Sequence, residues 1–274
     1  MAPSFGRSIS FPLTPGRSSS KPRHIRSASL PACTTISCHP LLADLNAHIA
    51  AVRSSHRSSL AARLTHIHAL HSSIADLLLL PEAQTALCGR VAAERLLDIF
   101  LFLADAHQCF QESMVELKHA TTECSAAIRR GDGARSASAV RTQRRAEKEL
   151  ARLAASVTTV SSKCARPNLV GTENAEMAGA LMEAAAASAA ASAAVFLAAA
   201  SMSSSSAEDS SSKKGFSVFG SFGKKATPET AELSLERLHM LEQCFDECDG
   251  VCNQVFRSIV QTRVSLLNIL SASI

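Results

Sequence analysis

The sequence predicts an all-α protein, a bundle of long antiparallel helices that follows a disordered basic N-terminal tail. Apolar residues recur at steps of three and four over long stretches, which is the period of an amphipathic helix. Proline and glycine interrupt these stretches only where one helix would end and the next begin. Residues 1–40 lack this period and are rich in Ser, Pro and Arg, a composition typical of disorder. We therefore predict a tail over 1–40 and a helical domain over 41–274, with a flexible Ser/Gly/Lys insert at about 203–228.

The last predicted helix, 233–269, carries the clearest pattern. Its apolar positions form an unbroken heptad stripe in which Thr262 is the only plainly polar member. The stripe consists of Leu238, Leu241, Phe245, Cys248, Cys252, Val255, Ile259, Thr262, Leu266 and Ile269. A stripe of this kind lies along one side of a helix and has to be buried against other helices.

Four earlier helices follow from the same period and from its interruptions. A first helical region ends near Leu80, and Pro81 suits the start of a short helix over about 82–88. A long helix over about 91–129 carries a stripe in which His107 is one of two polar positions. The Gly131-Asp132-Gly133 turn separates it from a helix over about 134–164.

The segment 173–202 consists mostly of Ala and Ser, which favours a helix by propensity. Its residues 184–202 are uncharged and close to the length of a membrane span, but they contain few of the large apolar residues that drive insertion. The Lys pairs around Phe216, Phe219 and Phe222 could contact an anionic membrane surface. The alternative to a purely soluble bundle is thus a peripheral, or less probably single-span, membrane protein that uses the 184–225 region.

Charge is strongly segregated along the chain, although the net charge is only +4. The tail contains no acid, and the helix over 135–152 is basic. Most acidic residues of the C-terminal part lie in the first half of the last helix, so we expect these two helices to face each other. The nine cysteines are an odd number spread over the chain, which favours a reducing compartment, and we expect the cytoplasm. A plastid transit peptide is the minority interpretation of the tail.

The tail contains the pattern R-S-x-S-x-P twice, 19 residues apart. Arg three residues before a serine suits a basophilic kinase, and a phosphoserine followed by proline resembles a ligand of 14-3-3 proteins. We therefore predict a phosphorylation-gated tail that binds protein partners, 14-3-3 proteins among them. The candidate phosphorylation and binding residues are Arg7, Ser10 and Pro12 in the first copy and Arg26, Ser29 and Pro31 in the second.

No segment of the sequence carries a recognisable catalytic, phosphate-binding or metal-binding motif. Cys244, Cys248 and Cys252 are four residues apart, but we interpret them as core residues rather than zinc ligands. We interpret His66, His68 and His71 as a surface cluster. The basic helix lacks the aromatic platform of a nucleic-acid reader. We therefore expect a non-catalytic protein without cofactor or metal, which does not bind nucleic acid and whose small-molecule ligand, if any, is unknown.

Several segments together resemble a plant-specific family, a domain of unknown function (DUF241) related to BYPASS-type developmental proteins. The resemblance lies in the tail motif, in Leu77–Leu87, in Leu96-Leu97-Asp98 and in Ile128-Arg129-Arg130. Its most specific part is the pattern F-R-x₅-R-V-S-L-L-N-I-L, which begins at Phe256. The resemblance implies no particular chemistry. It implies an interaction or regulatory protein that acts in root and shoot development, and this is the function that we predict.

Overall fold

The structure, a computed structural model, describes residues 39–88, 91–164, 173–204 and 228–272, and every regular element in these ranges is a helix. The elements are α1 (Pro40–Ser54), a 3₁₀ turn (Ser55–Arg57), α2 (Leu60–Leu78), α3 (Pro81–Leu87), α4 (Val91–Arg130), α5 (Gly133–Cys164), α6 (Glu173–Ser204) and α7 (Pro228–Ala272). The predicted all-α class is confirmed, and most of the predicted helix boundaries are met to within a few residues. Two differ: α7 begins five residues earlier, and the first predicted helical region, which ends near Leu80, is divided at residues 55–59 into α1 and α2. The tail and most of the predicted insert lie outside the described residues.

The turn between α4 and α5 shows how local sequence fixes a boundary. Gly131 has a φ of 69°, a left-handed conformation that glycine adopts without cost. Its N–H donates to the carbonyl of Ile128 at 3.1 Å, and that of Asp132 donates to the carbonyl of Ala127 at 2.9 Å. This is the Schellman arrangement that ends many helices. The Asp132 carboxylate then accepts from the N–H of Arg135 at 3.0 Å and caps α5.

The apolar stripes predicted from the sequence are the faces that pack. All ten stripe residues of α7 are buried, and α7 packs against α4 and α2. The stripe of α4 is buried as far as Cys124, with Ile128 partly exposed at its end. Burying one large apolar side chain contributes about 1.5–3 kcal/mol, so these faces dominate the stability of the bundle.

The Ala-rich helix α6 lies inside the bundle, where it contacts α1, α2, α3, α4 and α5. Its small side chains let the neighbouring helices approach, while Leu181, Val195 and Phe196 fill the remaining space. The stretch Ala175–Met202 is long and apolar enough to cross a membrane by length and composition alone. However, 56 % of its most apolar window is buried against the other helices, as in a core helix.

The predicted pairing of the basic helix with the acidic start of the last helix is wrong. α5 packs against α4 and α6, and α4 separates it from most of α7. The acidic residue Asp246 of α7 forms its ion pair with Lys118 of α4 instead. Burial of apolar stripes outweighs exposed ion pairs, which contribute about 0–1 kcal/mol, and it therefore decides which helices pack together.

Candidate functional site: a buried histidine–serine layer

The residues predicted as phosphorylation and partner-binding sites all lie in the tail, outside the described residues. These are Arg7, Ser10, Pro12, Arg26, Ser29 and Pro31. The site that the described residues do form is in the interior of the bundle. There, two serines of α6 meet two histidines from different helices.

The first pair joins α2 to α6. Nε2 of His71 lies 2.8 Å from Oγ of Ser188, and neither side chain is exposed. The edge of the Phe100 ring, from α4, packs against the imidazole with ring centroids 5.5 Å apart. His71 belongs to the buried stripe of α2, so the fold that buries this stripe also brings the imidazole to α6.

The second pair joins α4 to α6, one turn further along α6. Nε2 of His107 lies 2.9 Å from Oγ of Ser192, and both residues are fully buried. Phe110 and Phe196 stack on each other with centroids 4.6 Å apart, and both pack edge to face against His107. The serines are four residues apart on one face of α6, which is why one helix serves both histidines.

Burial lowers the pKa of both imidazoles from 6.5 to about 3. For His71, the neighbouring His107 and His68 add smaller contributions in the same direction. Nδ1 of each ring is buried and has no hydrogen-bond partner among the residues that the structure describes. Both histidines are consequently neutral at physiological pH, because a charge at these positions would lack both water and a counter-ion.

A serine within hydrogen-bond reach of a histidine is the arrangement that activates a nucleophile in many hydrolases. Three features of these pairs disfavour that use. The imidazoles are too weakly basic to take the serine proton at neutral pH, no group orients Nδ1, and no substrate can reach the buried hydroxyls. The arrangement is suited instead to fixing the register of α2 and α4 against α6, since any slip would leave buried polar atoms unpaired.

The interpretation of the His66, His68 and His71 group as a surface cluster is wrong for one member. His71 is fully buried, whereas His66 and His68 are partly exposed. Residue 71 falls on the apolar stripe of α2, and burial of that stripe carries the imidazole inward. Across the part of the chain that the structure describes, no three His, Cys, Asp or Glu side chains are placed to bind a metal ion.

The cysteines of α7 are core residues, as predicted. Cys248 and Cys252 are buried on the stripe, and Cys244 is partly buried beside them. The hydrogen bond to Cys244, together with burial, raises the pKa of Cys248, and burial raises that of Cys252 to about 12. Both thiols are therefore protonated at neutral pH and are poor nucleophiles and poor metal ligands.

Reasoning from the sequence did not find the histidine–serine layer, although two signals for it were present. His71 and His107 occupy stripe positions where apolar residues are expected, and Ser188 and Ser192 stand four apart in an otherwise small apolar helix. A buried polar residue needs a partner, so polar residues on two buried faces are candidates for one another. The sequence alone did not show which helices would pack against each other.

A comparison with protein-family models identifies the chain. The model described as Protein BPS1 matches residues 63–269, about three quarters of the sequence. The chain belongs to the BPS1 family. The match begins in the first turns of α2 and ends near the end of α7, so both histidine–serine pairs of this BPS1 family member lie within it. No curated protein and no solved structure matches the chain.

Proposed function

We propose that this BPS1 family member is a non-catalytic regulatory protein that acts through protein partners in plant root and shoot development. Membership of the family supports a developmental role at the level of the family, and the fold itself implies no particular activity. The proposal that the protein is non-catalytic is supported by the way in which the polar groups inside the bundle pair with one another. His71, His107, Ser188 and Ser192 are paired and sealed from solvent, and they join helices.

A surface depression between α4 and α7 adds support. It has a volume of about 400 Å³, and its walls include Val115, Phe245, Asp249 and Cys252. The thiol of Cys252 has a pKa raised to about 12 by burial, so it offers no thiolate at neutral pH. A depression of this composition suits contact with an apolar side chain of a partner better than bond-breaking chemistry.

Replacement of both histidines by glutamine tests the non-catalytic role. The amide of Gln hydrogen-bonds to a serine but cannot act as a base, so a His71→Gln/His107→Gln variant retains polar partners and loses any acid–base chemistry. In plants that lack the protein, we expect this variant to restore root and shoot growth. A variant that is as stable and as helical as the wild type but fails to restore growth would indicate catalysis.

The N-terminal tail is the proposed regulatory element. Ser10 and Ser29 are the phosphoacceptors, Arg7 and Arg26 are read by the kinase, and the prolines at 12 and 31 turn the chain after the phosphate. A dimeric 14-3-3 protein has two phosphate-binding grooves lined by Arg. Two copies of the motif on one chain can occupy both grooves, and the second contact is then intramolecular and raises the avidity.

Retention on immobilised 14-3-3 protein after kinase treatment tests this mechanism. We expect the wild type to be retained and a Ser10→Ala/Ser29→Ala variant to be lost. The matched control is Ser8→Ala/Ser27→Ala, which removes the other serine of each motif and keeps the Arg-to-acceptor spacing. Equal retention of wild type and Ser10→Ala/Ser29→Ala would rule out the gating mechanism.

We propose that the protein acts in the cytoplasm. Fluorescent fusions of the full chain and of a chain that lacks residues 1–38 test this, because a transit peptide would direct only the full chain to plastids. Cytoplasmic fluorescence from both fusions is the expected result. Plastid fluorescence that disappears with the tail would support the alternative.

Membrane association through the 184–225 region is the rival function, and the apolar length of α6 is the observation that favours it. Flotation of the purified protein with anionic and neutral liposomes distinguishes the two. A bundle whose α6 is committed to its core stays at the bottom of the gradient with both lipids. Flotation with anionic liposomes alone would indicate the Lys/Phe insert, and flotation with both would indicate α6.

A further inference from the structure

The outer face of α4 carries a row of acidic residues. They follow one another at steps of seven, seven, four and seven, which places all of them within a narrow arc of the helix. The row, which we call the acidic row, consists of Asp98, Asp105, Glu112, Glu116 and Glu123. All five are exposed, and none forms an ion pair with another described residue. The row is about 38 Å long at 1.5 Å per residue.

The neighbouring helix α5 carries the opposite charge on its own outer face, directly away from its buried side. These exposed residues, which we call the basic row, are Arg141, Arg144, Arg145, Lys148 and Arg152. Only Arg152 has an ion pair among the described residues, with Glu149 of the same helix at 2.5 Å. The other four cations form no ion pair with any residue that the structure describes.

The two rows lie side by side. α4 and α5 are antiparallel. Sγ of Cys124 lies 3.6 Å from Oγ of Ser136. Further along, Glu149 of α5 lies close enough to Cys109 of α4 to add to the effect of burial, which raises the pKa of that thiol. This register places the basic row beside the part of α4 that carries Glu112 and Glu116. Both rows nevertheless point to solvent, and no ion pair joins them within the described part of the chain.

We propose that the face formed by α4 and α5 binds a second copy of this chain in a twofold dimer, in which α4 of each protomer lies over α5 of the other. A twofold axis that runs parallel to α4 and α5 and lies midway between them brings the basic row of each protomer over the acidic row of its partner. The same rotation pairs the basic row of each chain with the acidic row of the other chain. The acidic row is longer than the basic row and extends beyond it at both ends. The partner's charges replace the counter-ions that each protomer lacks.

A second copy explains these surfaces better than an external polyanion. A polyanion would pair with the basic row but would be repelled by the carboxylates of Glu112 and Glu116 beside it. The outer face of α4 also exposes Leu101, which is 40 % accessible and supplies apolar contact to an interface. α5 contains no aromatic residue on which a nucleic-acid base could stack, and Phe100 and Phe110 of α4 are buried.

Charge reversal of one row at a time tests the dimer in the full chain. The first variant is Arg145→Glu/Lys148→Glu, and the second is Asp105→Lys/Glu112→Lys. All four positions are exposed, so both variants should fold. By sedimentation velocity at low salt, we expect the wild type to dimerise and each variant alone to be at least about tenfold weaker. An equimolar mixture of the two variants should dimerise again, because both contacts of the heterodimer are then complementary.

The control is Arg57→Glu/Arg257→Glu, which makes the same change in net charge as the first variant, at exposed positions outside both rows. This control variant should dimerise as the wild type does, and sodium chloride should weaken dimerisation of the control and of the wild type equally. Three results would overturn the proposal: a wild type that stays monomeric at low salt, single-row variants that dimerise like the wild type, or a mixture that stays monomeric. Tight binding of the monomeric wild type to heparin would instead assign the basic row to a polyanion.

Discussion

Nε2 of His107 and Oγ of Ser192 lie 2.9 Å apart in a part of the bundle from which solvent is excluded. One turn away on the same face of α6, Ser188 makes the equivalent contact with His71 of α2. An Ala-rich helix has little shape of its own with which to specify its position. These two hydrogen bonds fix the position of α6, because a shifted helix would leave four buried polar groups without partners.

The first prediction concerns pH. In the unfolded chain His71 and His107 have a pKa of about 6.5, and in the folded chain burial lowers it to about 3. The unfolded state therefore binds more protons below pH 6.5. The stability that the neutral histidines provide is complete above that pH and is lost as the pH falls towards 3. Each histidine contributes up to about 1.4 kcal/mol per pH unit, measurable by urea unfolding between pH 7 and pH 4.5.

Carboxylates also titrate at the acidic end of that range, so a control is needed. The variant His71→Phe/Ser188→Ala removes both members of one pair, and its unfolding free energy should fall with about half the histidine-dependent slope between pH 6.5 and 5. An unchanged slope would mean that His71 is protonated in the folded protein.

The second prediction concerns the hydrogen bond of Ser192. A Ser192→Ala substitution leaves Nε2 of His107 buried and unpaired, which should lower the unfolding free energy by about 1–3 kcal/mol at pH 7. Ser72→Ala is the matched control, because Ser72 is exposed on α2 and bonds only to a carbonyl of its own helix. Its effect should be within about 0.5 kcal/mol. Equal effects of the two substitutions in chemical denaturation would show that the buried bond is not made.

The third prediction compares two adjacent leucines of α7. Leu266 is fully buried on the stripe, whereas Leu267 is 44 % accessible. Leu266→Ala should cost about 2–5 kcal/mol of unfolding free energy, and Leu267→Ala less than about 1 kcal/mol. Leu266→Asp, which buries a charge, or deletion of residues 256–274 should abolish soluble folding. A cooperative and fully helical truncated protein would contradict this role of α7.

The fourth prediction concerns two glycines with equal space around them. Neither Gly131 nor Gly250 has an atom within 4 Å of an added Cβ, but only Gly131 has a positive φ. Gly131→Ala should destabilise the protein by about 1 kcal/mol, because alanine is strained in that conformation. Gly250→Ala, inside α7, should stabilise it by about 0.5–1 kcal/mol. Thermal unfolding measures both, and a stabilising Gly131→Ala would contradict the left-handed turn.

The helices could be predicted from the sequence because the apolar period is a local signal. Every stripe residue predicted on α7 is buried, and Pro81 begins a helix as its missing N–H favours. The order in which helices pack could not be predicted, since it depends on how several apolar faces fit together. The charge pattern indicated that α5 packs along the first half of α7. Instead α7 packs along α4 and α2, and Leu238 near its start shares a small apolar cluster with Ala139 and Val140 of α5.

The candidate site escaped prediction for a related reason. A histidine on a stripe, such as His107, is a polar exception when only its own helix is considered. It becomes a site when Ser192, 85 residues later, is brought to it by the packing of α6. The tail motifs around Ser10 and Ser29 lie outside the described residues, so their role stays a prediction.

Titration of the histidine side chains by ¹⁵N-detected NMR tests the buried layer most directly. The chain has ten histidines, and two of them, His71 and His107, should remain neutral from pH 8 to pH 5, because burial lowers the pKa of both to about 3. The non-titrating signals should disappear in the His71→Phe/His107→Phe variant, which assigns them. Titration of all ten imidazoles near pH 6.5 in the folded protein would contradict a sealed histidine–serine layer.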